Sequence, residues 1–153
     1  MTTTYTLDLL LKLSLELENL AYDFYGELEA RFTHKPELAK TLAAIKADEK
    51  MHIRVVEEIR KSLTPVRLKM MVPAEPIQQL ETALEFIRST NVNDLKSSDD
   101  ICDAIERLEA VEFDVALAFV DISEINYDFT KQYLKNQTVE HTNKIYHAQQ
   151  CFE

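Results

Sequence analysis

Apolar residues recur at steps of three and four over four long stretches of this chain, the pattern of amphipathic helices. In residues 6–32 the stripe is Leu7, Leu11, Ser14, Glu18, Ala21, Tyr25 and Leu28, widened on one side by Leu10, Leu17 and Phe24. A helix over that stretch is roughly 40 Å long at about 1.5 Å per residue. Thr33-His34-Lys35-Pro36 then reads as a short turn, with Pro36 suited to the first turn of a second helix. That helix is predicted over residues 36–63, with the stripe Leu38, Leu42, Ile45, Glu49, His52, Val56 and Ile59, and Thr64-Pro65 ends it. So short a linker makes the two helices an antiparallel pair.

Residues 64–98 are too many for a tight turn and form a crossover. Ile77, Leu80, Leu84 and Ile87 mark a short helix within it near 75–89, interrupted at Asn91-Val92-Asn93-Asp94. Ser97-Ser98-Asp99-Asp100 is N-capping material for a third main helix over 99–122. Its apolar face is Ile101, Ile105, Leu108, Val111, Val115, Ala118 and Ile122. A fourth is predicted over 126–150, with Phe129, Tyr133, Glu140, Asn143 and His147 on one stripe and Leu134, His141, Ile145 and Ala148 on its neighbour. Ser123 is the candidate cap between them. The pattern predicts one all-α domain over 1–153: a four-helix bundle with helix pairs 6–63 and 99–150 and one long crossover.

Composition narrows what such a bundle can do. The 153 residues contain 1 glycine, which excludes a dinucleotide fingerprint or a Gly-rich phosphate loop. The net charge of −10 disfavours nucleic acid and anionic membrane surfaces as partners. Cys102 and Cys151 form no CxxC, so no cysteine-rich zinc or iron site is expected. Residues 1–8 carry no Lys or Arg, and Asp8, Lys12 and Glu16 interrupt the leucine-rich run that follows. Neither a signal peptide nor a membrane span is expected, and the chain reads as cytoplasmic. Leu9, Leu13 and Leu20 exceed what one inward stripe needs, so a homodimer is expected.

The informative feature is where acids fall on these stripes. Glu18 lies between Leu11 and Ser14 on one side and Ala21 and Tyr25 on the other, so it faces inward. Glu49 and His52, three apart, lie between Ile45 and Val56 and also face inward. A buried carboxylate is costly unless it is paired or binds a metal. Glu18, Glu49 and His52 on facing helices thus offer three oxygen and nitrogen ligands to one ion. A partial internal repeat extends the idea: an offset of 91 residues takes Glu18 to Glu109 and Glu49 to Glu140. The same offset takes His52 to Asn143, a feeble ligand, while His147 lies two turns beyond Glu140 on its stripe. On the third helix the repeat favours Glu109, the apolar stripe favours Glu112, and Glu106 has Phe113 seven residues on.

With Glu18-Asn19-Leu20-Ala21-Tyr22-Asp23-Phe24-Tyr25 and Asp48-Glu49-Lys50-Met51-His52, the chain resembles the ferritin-like superfamily, specifically rubrerythrin-like diiron carboxylate proteins. The resemblance covers the helix layout of nearly the whole chain, but its motifs cover only the first half well. It implies two iron ions, or iron and manganese, used in peroxide reduction or dioxygen activation. Glu18 would then be a terminal ligand, Glu49 a bridge and His52 the nitrogen ligand. Glu109 or Glu112, with Glu140, would serve the second metal, and His147 could close a displaced site. Tyr22 or Tyr25 would donate a hydrogen bond or proton near the centre. The rubredoxin-type four-cysteine site is absent, so a redox enzyme of this kind would need an external electron donor. The alternative is a degenerate bundle with one metal or none, acting as a structural or interaction protein. A hollow iron-storage shell is a third option.

Overall fold

The computed structural model describes residues 5–122 and residue 143. The described part is all-helical: five α-helices, one 3-10 turn and no strand. The expected fourth main helix, with Glu140 and His147, lies outside the described residues.

Helix α1 (Leu7–Arg31) starts where Thr6, in extended conformation, accepts a hydrogen bond on its side chain from the Leu9 N–H at 3.2 Å. That satisfies one of the donors a helix start leaves open. Asp8 in the first turn and Arg31 in the last complement the helix dipole. Helix α2 (Pro36–Ser62) begins on proline after the predicted turn. Two short elements were not anticipated: α3 (Pro65–Leu68), capped by Thr64, and a 3-10 turn at Val92–Asp94, capped by Asn91. Single capped turns carry no periodicity, so the stripe analysis passes over them. Helix α4 (Ala74–Ser89) falls where the crossover helix was expected. Helix α5 (Ser98–Ile122) opens on a reciprocal cap: Ser97 Oγ accepts from Asp100 N–H at 3.1 Å, and Asp100 Oδ2 accepts from Ser97 N–H at 3.4 Å.

Helix α1 is the spine of the packing: α2 lies along it, α4 packs on another side, and α5 packs on α4. The crossover is tied to both ends of α1. At its start, Leu7 N–H donates to Met70 O at 2.8 Å and Val72 N–H to Tyr5 O at 3.0 Å. At its end, Arg31 donates to the carbonyls of Val92 and Leu95. The chain therefore climbs alongside α1 through α4 and enters α5 near the end of α1. Helix α5 then runs back, antiparallel to α1, as α2 does. Two helices that are each antiparallel to a third are parallel to one another, and parallel neighbours need a long connection. This is the reason 35 residues separate α2 from α5.

The core runs from Leu7, Leu10 and Leu11 through Tyr25 and Leu28 to Leu42, Ile45, Ile77, Leu80, Ile101, Ile105 and Leu108. Leu9, Leu13 and Leu20 are half-buried against that same core. Part of the second apolar side of α1 is thus covered by its own chain.

Candidate metal centre

Among the described residues, six polar side chains are buried in this hydrocarbon: Ser14, Glu18, Glu49, His52, Glu109 and Glu112. Each sits on an inward stripe because helical phase puts it there. Ser14 has a local solution, donating to Leu10 O one turn back at 2.8 Å. The ionisable groups meet each other, within α2 and across helices. His52 Nδ1 lies 3.4 Å from Glu18 Oε2, 3.7 Å from Glu49 Oε2 and 4.0 Å from Glu112 Oε2. One donor atom from each of these four residues lies within 4.8 Å of all the others.

The electrostatics of the cluster are those of a site wanting positive charge. Burial, then the Glu112 charge, pushes the Glu18 carboxyl well above the ordinary glutamate range. Burial, then Glu18, does the same to Glu49. Glu18 Oε2 and both Glu49 oxygens lack a hydrogen bond of normal geometry. For buried carboxylates that is expensive, and a cation is the direct remedy.

The donor set fits a first-row divalent ion. Metal–ligand distances of about 2.0–2.2 Å place the donor atoms of one ion no more than about 4.4 Å apart. The observed 4.8 Å spread needs only a few tenths of an ångström of side-chain adjustment. Three carboxylates and one imidazole suit manganese, ferrous iron or zinc, and a thiolate-preferring ion poorly.

The remaining candidates separate clearly. Glu109, fully buried, is not one of the four converging residues. It accepts a hydrogen bond on Oε1 from the Tyr25 hydroxyl at 3.3 Å. Tyr25 is fully buried, its ring edge-to-face with Phe24 at 5.7 Å, and burial followed by the Glu109 charge raises its phenol pKa well above 10. Tyr22 is half-buried and its ring carries the Lys46 ammonium 4.9 Å from the centroid. Glu106 is half-buried. Glu109 and Glu112 were competing candidates in the sequence, and the structure buries both. Three residues turn a helix by about 300°, so they stand about 60° apart and share one broad face. A Cβ at Gly26 would meet Lys46 Nζ at 3.3 Å, so the glycine makes room for that side chain.

Fold and site together define an all-helical chain with a buried carboxylate–histidine cluster at the junction of α1, α2 and α5. No family model, curated protein or solved structure matches the chain. What the cluster does must therefore be read from its own donor set. No described helix is long and apolar enough to cross a membrane.

Proposed function

We propose that this chain is a ferritin-like dimetal carboxylate protein, rubrerythrin-like but without the rubredoxin site, whose centre serves peroxide reduction or dioxygen activation. The observation that carries the proposal is the convergence of Glu18, Glu49, His52 and Glu112 within 4.8 Å inside an apolar core. The antiparallel relation of α1 to both α2 and α5 supports a four-helix bundle with a crossover. Glu18, Glu49, His52 and Glu112 would hold one cation. Glu109 would serve a second, and Glu140 and His147, outside the described residues, complete the proposed set. Two divalent cations carry the four positive charges that Glu18, Glu49, Glu109 and Glu112 match.

Bound iron would supply a ferrous/ferric couple and open positions for a small oxidant. The protein's part is to concentrate carboxylates, which suit both redox states, and to wall them from bulk water with Leu11, Leu42, Ile45 and Leu108. Tyr25 supplies a hydroxyl proton at Glu109 Oε1. With no cysteine cluster in the sequence, electrons come from a separate donor. A cytoplasmic setting suits this chemistry. A homodimer finds less support than the sequence offered, because Leu9, Leu13 and Leu20 already pack on their own core.

The test is anaerobic loading with ferrous iron, then rapid mixing with hydrogen peroxide or dissolved oxygen while ferric absorbance is followed. Oxidation faster than that of free ferrous ion in the same buffer is expected. The free-ion rate with both oxidants refutes the redox reading. A second reading, a centre with a single metal, is favoured by one observation: the four converging residues are one ion's complement, and Asn143, the repeat partner of His52, is exposed.

A further inference from the structure

We propose that the segment Arg60–Met71, where the end of α2 and the turn α3 meet the start of α1, is the docking surface for a small acidic electron-carrier protein. The inference rests on the redox reading above, which calls for a separate donor, and goes beyond it by giving that donor a place to bind and a sign of charge.

Residues 59–74 carry Arg60, Lys61, Arg67 and Lys69 and no acid, in a chain whose 27 acidic residues outnumber its 17 basic ones. Arg60 lies 3.2 Å from Asp8, and Lys61 lies 3.9 Å from Glu58. Among the described residues Arg67 and Lys69 make no ion pair, and both are exposed. Local structure turns two apolar side chains outward beside them. Thr64 caps a single helical turn, Leu68 and Met70 pack on the core, and Val72 is buried. Val66 and Met71 are left 81% and 67% exposed, more than any other large apolar residue described. The segment is held in place: Leu7 N–H donates to Met70 O at 2.8 Å and Val72 N–H to Tyr5 O at 3.0 Å. A surface already fixed by its backbone loses little freedom on binding.

Apolar side chains beside exposed cations form a contact that charge steers and apolar area seats. Charge complementarity selects an acidic partner, and geometry selects a small protein over an anionic bilayer. At physiological salt, charges are screened beyond about 8 Å, so a small partner meets this patch rather than the net charge of −10. A bilayer would also press its charge against the flanking Glu58 and Glu75, and one helical turn cannot lie in it as an amphipathic helix. The patch is also joined to the cluster by one helix. From His52 to Ser62, the end of α2, is about 15 Å at about 1.5 Å per residue.

The probe is a plant-type ferredoxin, a small acidic one-electron carrier. Binding of the oxidised carrier to the full chain, stripped of metal, is followed by fluorescence anisotropy at about 20 and about 200 mM salt. Saturable binding that weakens with salt is expected. Arg67→Glu combined with Lys69→Glu should weaken it about 10-fold or more, and Val66→Ser should weaken it with the salt dependence kept. Far-UV circular dichroism of the variants confirms that the helices are intact. In the iron-loaded chain, one electron leaves the reduced ferredoxin and converts one ferric ion to ferrous. The double variant should slow that transfer by a similar factor and leave reduction by photoreduced flavin, a small donor, unchanged. A wild type that does not bind the carrier, binding indifferent to both charge reversals, or tighter binding to anionic phospholipid vesicles overturns the docking surface and leaves the metal reading standing. A chain that binds the carrier but takes up no iron overturns the redox reading, and the carrier's role with it.

Discussion

Replacing Glu49 with methionine should make the metal-free protein more stable while removing its ability to hold a cation. Glu49 is fully buried on α2 between Ile45 and Val56, and burial with the Glu18 charge drives its carboxyl towards the neutral form. An ordinary glutamate ionises near 4.3, so at neutral pH the fold is destabilised by holding a proton that the unfolded chain releases. Methionine has the same unbranched length and similar helix propensity, and it carries no proton to retain. Its introduction loses only a 3.7 Å approach of the carboxylate to His52 Nδ1, too long for a hydrogen bond. The net gain expected is about 1–3 kcal/mol, within the range seen when buried ionic groups give way to apolar ones. For a chain of this size that is roughly 2–10 °C in Tm. Urea unfolding of chelator-treated wild type and variant, followed by helical circular dichroism, measures it. The gain should shrink as the pH is lowered to about 4.5, where the unfolded glutamate is also largely protonated. A variant less stable than wild type, or a gain independent of pH, would refute the reasoning, because either means that Glu49 is not held at the cost of its proton.

The same shifts give the metal-free wild type a pH dependence of definite sign. Glu18 and Glu49 have folded pKa values raised above their unfolded ones, so above about pH 4.5 the native state keeps protons that the unfolded chain has released. Stability should fall as pH rises from there through the raised values, by up to about 1.4 kcal/mol per pH unit for each retained proton. Chemical denaturation at about pH 5 and pH 8 checks this, and saturating Mn²⁺ should flatten or reverse the trend because bound metal displaces those protons. Gly26→Ala should stabilise the chain by about 0.5–1 kcal/mol through helix propensity. The contact its Cβ meets is the flexible end of Lys46, which can swing from the Tyr22 ring. Thermal unfolding measures it, and a destabilised variant would show that the Lys46–Tyr22 contact matters more than propensity.

Sequence periodicity located α1, α2, α4 and α5 because each buries a continuous stripe, and a stripe repeats where helical geometry demands it. Glu18, Glu49 and His52 were legible for the same reason: they are polar residues at apolar phase. Their meeting across α1 and α2 followed from the short Thr33–Pro36 turn, which forces the pair together. Helix α5 was less legible. Phase placed Glu109 and Glu112 on one broad face, but phase cannot say which of two buried acids turns towards His52 and which towards a tyrosine on another helix. That depends on how far α5 slides along α1, which the ties of Arg31 to Val92 and Leu95 help to set. Tyr22 illustrates the converse. It is one turn from Glu18 and in a plausible register, yet the contact it makes is with the Lys46 ammonium over its ring. Long-range cation–π contacts leave no periodic trace.

The central claim is that the cluster of Glu18, Glu49, His52 and Glu112 exists to hold metal. The most direct measurement is elemental analysis of protein purified without chelator or affinity metal, with visible absorbance recorded alongside and repeated after anaerobic ferrous reconstitution. About two irons or manganese ions per chain, lost in Glu49→Met, is the expected result. Metal-free protein that stays metal-free after reconstitution would contradict it, and would make the cluster a set of protonated core carboxyls.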